Sequence, residues 1–223
     1  MARLLIHVEG QTEETFVKTT LAPHLYENGY TQVGARLLGN ARNRRNRGGI
    51  KHWEVVRRDI ERHLKSDANA FATLMVDYYA LPDSWPGRGE FPNGSVQQKF
   101  DALLTKLRND FQESTRIEGR FLPFVLMHEF EALLFSDCDT FAESLDCPEK
   151  KEHFWAIRDQ FEDPEHINDS PLTAPSKRVI GLMSNYDKVL YGNVAASDIG
   201  LETIREQCPR FSSWLDQLEQ LVV

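Results

Sequence analysis

The sequence predicts an α/β fold: a Rossmann-like, mostly parallel sheet with helices on both faces and a C-terminal helical lobe. Three observations carry this. Short apolar runs alternate with amphipathic stretches through residues 1–135, the pattern of strand–helix–strand units. FATLMVD (71–77) is apolar almost throughout and ends in an acid, as a strand buried on both faces does. Beyond about residue 140, apolar residues recur only at helical spacing.

Each element has its own signal. RLLIHV (3–8) reads as the first strand. Residues 12–27 read as a helix, with Thr12 as N-cap and Glu13 and Glu14 in the first turn, where the helix dipole favours acids. Gly10 is expected to let the chain turn tightly between the two. QVGARLL (32–38) alternates as a strand, and residues 50–65 carry apolar positions at helical spacing. After strand 71–77, YALPDSWPGRGEFPNGS (79–95) is a loop by its Pro and Gly content. VQQKFDALLTKLRNDF (96–111) is a helix. RFLPFVLM (120–127) is a strand, and Pro123 places it at a sheet edge or a strand start. HEFEALLF (128–135) turns helical. Residues 148–162, 175–191, 198–207 and 210–221 read as helices, with Ser176 a possible N-cap. The division expected is an α/β domain over 1–140 and a helical lobe over 141–223 packed on it.

Composition narrows the class. The 223 residues suffice for a sizeable core, and 41% hydrophobic with 27% charged residues suits a globular protein. No apolar run reaches the roughly 20 residues of a membrane span, and the run after Arg3 is too short for a signal-peptide core. Cys138, Cys147 and Cys208 show no CxxC spacing, which argues against a disulfide framework or a zinc site and for a reducing cytoplasm. A net charge of −8 is unlike a nonspecific nucleic-acid coat protein. Its distribution is uneven, however: NARNRRNRGGIKHWEVVRRD (40–59) places Arg42, Arg44, Arg45, Arg47 and Lys51 on one arm, which suits phosphate contact at one place.

The acids fall at strand ends. Glu9 follows strand one, with Glu13 four residues on; Asp77 ends the 71–77 strand; Glu129 and Glu131 follow the 120–127 strand. In a parallel sheet these gather at the carboxyl edge, where ligands of such sheets bind. Two carboxylates about 5 Å apart repel by roughly 3 kcal/mol at an effective dielectric near 20, so a cluster takes up protons or a cation. All-oxygen ligands suit Mg²⁺ or Mn²⁺. HEFE lacks the second His of a HExxH zinc motif, and His128 reads as a hydrogen-bonded structural residue. Lys177 and Lys188, three helical turns apart if 175–191 is one helix, would present cations on one face toward a phosphoryl transition state. Trp53, Trp155 and Trp214 read as core, and Trp85 as loop packing.

VEGQTEETF (8–16) resembles the first motif of Toprim domains, in the variant with a second acid four positions on that OLD-type nucleases carry. TLMVDYYALPD (73–83) is similar to the region of their Asp-x-Asp motif. With HEFEALLFSD (128–137) and PSKRVIGLMSNYDKVLYG (175–192), most of the chain resembles a bacterial Toprim-like family of unknown function, often encoded beside an AAA-type ATPase in apparent phage-defence loci. The resemblance implies a Mg²⁺- or Mn²⁺-dependent nuclease acting on DNA or RNA. Glu9 would be a metal ligand or general acid/base, and Glu13 and Asp77 ligands. Lys177 or Lys188 would match a lysine that OLD-type nucleases carry late in the domain. Tyr79 stands where the second Asp is expected, which leaves Asp83 or Glu131 as substitutes for a second metal. Two rivals remain: a catalytically degenerate binding or regulatory subunit of an ATPase complex, and a phosphoryl-transfer enzyme using a nucleotide. The chain itself has no GxxxxGK[ST].

Overall fold

The computed structural model describes residues 1–38, 50–112, 117, 119–167 and 173–222. Strands β1 (Arg3–Val8), β2 (Gln32–Leu37), β3 (Ala70–Asp77), β4 (Phe121–Leu122) and β5 (Val125–Leu126) form one parallel sheet, in the order β2-β1-β3-β4, with β5 also on β3. The expected 120–127 strand is thus two short pieces. Both keep one register on β3, Thr73 beside Leu122 and Val76 beside Val125. Pro123 lies between them and has no N–H for the ladder, so the interruption falls on the edge strand.

The chain steps from β1 to β2 on one side and then crosses to β3 on the other. Right-handed crossovers therefore lay the connecting helices on opposite faces. The order reverses at the β1/β3 pair, and the crevice beyond the carboxyl ends of those strands is where such sheets bind ligands.

The first crossover is helical from Gln11 to Glu27 but not uniform: α1 (Gln11–Phe16) and α2 (Ala22–Glu27) flank a π-helical stretch, Val17–Leu21. Its N-cap is Gly10, not Thr12. Gly10 is in extended backbone, so a tight turn is not what calls for glycine; a Cβ there would stand 3.2 Å from a Glu13 carboxylate oxygen. The second crossover is α3 (Trp53–Ser66), buried through Trp53, Val56, Ile60 and Leu64. After β3 come the loop and α4 (Val96–Gln112). Trp85 is buried in that loop against Trp53, its indole N–H donating to the Lys51 carbonyl at 3.0 Å.

The C-terminal half comprises α5 (Cys138–Ser144), α6 (Lys151–Arg158), α7 (Pro175–Leu182), α8 (Lys188–Ile199), α9 (Leu201–Gln207) and α10 (Pro209–Gln220). Helix α5 was not expected, and a domain boundary at 140 would cut through it. The expected 175–191 helix is two: it ends at Leu182, and α8 starts only at Lys188, capped by the Asp187 carboxylate on Leu190 N–H at 2.9 Å. The cap of α7 is Ala174 rather than Ser176. Gly200, at φ +83°, separates α8 from α9, a conformation that L side chains rarely adopt.

These helices share the core of the sheet. Trp214 of α10 stacks on Phe124 at 4.5 Å and donates to the Thr73 hydroxyl inside β3 at 2.9 Å. Tyr30 donates to the Leu218 carbonyl, and Phe211 packs on Phe16. Glu165 accepts from the Arg210 and Phe211 amides, closing the start of α10. Trp53 and Trp214 are core as expected, and Trp155 is half-buried with its N–H on Asp139. The three cysteines are buried and free. Among the described residues no helix is long and apolar enough to cross a membrane.

Trp214→Ala removes a stacked ring and the hydrogen bond that the Thr73 hydroxyl accepts, while that hydroxyl keeps its bond to the Leu122 carbonyl. The substitution is expected to destabilise the whole chain by about 3–5 kcal/mol. Urea unfolding followed by tryptophan fluorescence and by far-UV circular dichroism should give one coincident transition in both proteins, because the two halves share one core.

Candidate functional site

Parallel topology brings the strand-end acids to one edge. Glu9 leaves β1 at the switch point, and Asp77 is the last residue of β3. The Asp77 backbone hydrogen-bonds the Glu9 carboxylate. Glu13, in the first turn of α1, reaches back to accept from Gly10 N–H at 2.9 Å through one carboxylate oxygen. Past β5, His128 adopts φ +76°, rare for a residue with a side chain. That turn ends the strand direction and starts a 3₁₀ helix, Phe130–Ser136, with Glu131 in its first turn. Glu13, Asp77 and Glu131 are 2%, 5% and 0% exposed, a burial that carboxylates reach only when something compensates.

The compensation is Lys188, the first residue of α8. Its ammonium lies 2.9 Å from Glu131 and 3.6 Å from Asp77. It is insufficient for the cluster. A Glu9 oxygen, an Asp77 oxygen and both Glu131 oxygens are buried without a well-formed hydrogen bond. Burial, then Glu13, pushes the Glu9 carboxyl up to about 7 against the opposing pull of Lys188. Burial also raises Asp77 and Glu131, again against Lys188. The lysine is held in its charged form by the carboxylates, Asp77 foremost, in spite of its own desolvation.

The sequence-predicted residues do not all meet at one place. Glu9, Glu13, Asp77, Glu131 and Lys188 act on one another electrostatically. Glu129 is close enough to raise Glu9, but its carboxylate accepts from Ser176 N–H at 2.8 Å and so serves the start of α7. Lys177 is exposed on α7; the break at 183–187 puts it on a different helix from Lys188, and the shared face expected for the two lysines does not exist. Tyr79 is half-buried with its ring 5.8 Å from that of His128, and Asp83 is exposed. Arg42, Arg44, Arg45 and Arg47 lie outside the described residues. Lys51 is described: with Arg58, Asp59 and Arg62 it lines a cavity of about 410 Å³ beside Leu37 and Leu38, at the end of β2.

Two residues at the site were not anticipated. Tyr186, in the turn before α8, has its hydroxyl buried without a hydrogen-bond partner, and burial followed by the charge of Glu131 pushes its pKa up. Gly192 allows α8 to lie against this site: a Cβ there would come within 3.0 Å of the Tyr186 hydroxyl and 3.8 Å of Thr12. Neither has a local sequence signal, since both roles arise from the crossing of α8 over α1.

The donor set is all oxygen, with buried acceptors left over, which fits a hard divalent ion. Among the described residues, no three His, Cys, Asp or Glu side chains already converge on one point as ligands; Lys188 stands among the acids instead. The family described as Domain of unknown function (DUF4276) matches residues 8–219, and the chain belongs to it. No curated protein and no solved structure matches.

The raised Glu9 carboxyl gives a signed prediction. Folded protein holds this proton more tightly than unfolded chain, so stability falls as pH rises from about 4.5 to about 7, and the full cost remains above that. In chelator, Glu9→Gln should melt like the parent near pH 4 and be more stable at pH 8, by about 1–3 kcal/mol. Comparing the two proteins at each pH removes the parallel contribution of Glu165, also pushed up to about 7 by burial.

Proposed function

For this member of the DUF4276 family we propose a divalent-metal-dependent nuclease, or related phosphodiesterase, acting on DNA or RNA. The observation that carries the reading is the acidic group at the β1/β3 switch point: Glu13, Asp77 and Glu131 are buried, and Glu9, Asp77 and Glu131 keep buried oxygens without a hydrogen bond. Glu9, Glu13, Asp77 and Glu131 would hold Mg²⁺ or Mn²⁺, with Glu129 at the margin. Once bound, the ion supplies Lewis-acid polarisation of a phosphodiester and lowers the pKa of a bound water.

This chain's own groups have distinct parts. Glu9, with a pKa near neutrality, is suited to take a proton from water and return it to a leaving oxygen. Lys188 offsets negative charge that develops on the phosphoryl oxygens. Lys51, which lines the cavity at the end of β2, would grip the backbone together with the arginines of 42–47. The resemblance to Toprim-like proteins beside AAA-type ATPases supports a role in bacterial phage defence with such a partner, in the cytoplasm. A second reading is favoured by Tyr79 in place of a second Asp and by the lysine among the acids: a catalytically degenerate subunit that regulates an ATPase complex.

A cleavage assay with plasmid, single-stranded DNA and tRNA in Mn²⁺, Mg²⁺ or chelator tests the reading. Metal-dependent products are expected from the parent, with Glu9→Gln and Asp77→Asn reduced by at least 10²-fold. Both variants should also lose the rise in melting temperature that Mn²⁺ gives the parent. Metal binding without cleavage of any substrate would favour the degenerate subunit. Replacing Arg44, Arg45 and Arg47 together by Ala should weaken nucleic-acid binding and flatten its dependence on log[salt], with the melting temperature unchanged. An unaltered slope would remove the loop from the interface.

A further inference from the structure

Lys188 sits in an unusual place for a lysine. It is the first residue of α8, where the positive end of the helix dipole disfavours a cation. What holds it there is the acidic cluster: its ammonium spans Glu131 at 2.9 Å and Asp77 at 3.6 Å, two acids from separate elements. The three side chains differ in freedom. Those of Glu131 and Asp77 are 0% and 7% exposed, whereas that of Lys188 is 36% exposed and hangs on a flexible four-carbon stem. The backbone beneath it is fixed, because Asp187 caps α8 and the small Gly192 seats the helix against Thr12 and Phe130. Only the lysine side chain has room to leave.

We propose that the Lys188 ammonium is a built-in stand-in for the divalent ion, and that the ion binds by displacing it. The inference rests on the metal-dependent reading above. An ion about 2.0–2.1 Å from carboxylate oxygens of Asp77 and Glu131 would lie against an ammonium bonded to the same groups, and the two cations repel in this desolvated crevice. The leftover acceptors on Glu9, Asp77 and Glu131 show that one positive charge leaves the cluster under-compensated. A doubly charged ion satisfies more of them. The evicted ammonium then points to the open side of the crevice, where a phosphate would arrive. Metal occupancy and phosphate affinity are thereby linked through one side chain, and in the metal-free protein the lysine takes the ion's place between Asp77 and Glu131.

The test compares the parent with Lys188→Met, which keeps the stem and removes the charge. Mn²⁺ binding is measured by calorimetry, and melting temperature with and without Mn²⁺. The variant is expected to melt lower than the parent in chelator, to bind Mn²⁺ about tenfold more tightly, and to gain more from it. Equal or weaker Mn²⁺ binding by the variant, with the parent binding normally, overturns the stand-in while leaving the metal reading intact. Absence of Mn²⁺ binding in both proteins overturns the metal reading and the stand-in together. A second measurement needs no variant. Acetylation of Lys188 by a soluble active ester, followed by mass spectrometry, should speed up several-fold on adding Mn²⁺, because an amine that leaves its ion pairs gives up its proton more readily and the neutral amine is the form that acylates. A rate unchanged by saturating Mn²⁺ overturns the displacement.

Discussion

Buried like charges at one sheet edge govern this molecule. Carboxylates about 5 Å apart repel by roughly 3 kcal/mol per pair at an effective dielectric near 20, and desolvation adds to that cost. Glu9, Asp77 and Glu131 answer by holding protons more tightly, and Lys188 answers with a charge of its own. A stability-optimised chain would place neutral residues here. Retaining the acids concentrates the cost in the crevice where a parallel sheet binds its ligand.

The scaffold that tolerates this strain runs through both halves of the chain. Trp214 and Phe124 lock α10 to the sheet, and the indole reaches the Thr73 hydroxyl four residues before Asp77 on β3. Glu129 fastens the start of α7, so the segment after β5 cannot swing away and carry Glu131 with it. Helix α8 delivers Lys188 from the C-terminal half to acids that belong to the N-terminal half. The helical half therefore contributes a side chain to the site.

Local backbone choices aim the side chains. The left-handed turn at His128 costs of order 1–3 kcal/mol and redirects the chain from strand to 3₁₀ helix between Leu126 and Glu131. The π-helical stretch Val17–Leu21 follows directly on the turn that carries Glu13. Such irregularities recur at functional sites because the surrounding packing, rather than local preference, holds them in place.

The sequence by itself determined the parallel sheet and its acidic edge. Apolar runs of strand length ending in Glu9 and Asp77, alternating with helical periodicity, admit few other arrangements, because parallel strands need crossovers and crossovers are right-handed. It also limited Pro123 to a sheet edge or a strand start, since a missing N–H is tolerated at few ladder positions, and the fold decided for the edge. Tertiary structure decided which cation meets the acids. Periodicity alone joins 175–191 into one helix with Lys177 and Lys188 on one face; the break at 183–187 and the Asp187 cap set them on different helices, and of the two it is Lys188 that reaches Asp77 and Glu131. It also decided that Glu131 is a fully buried member while Glu129 caps a helix, for two acids two residues apart diverge according to the turn they stand on. Spacing along a chain records local period, whereas the partner of a buried charge is fixed by elements that meet only after folding.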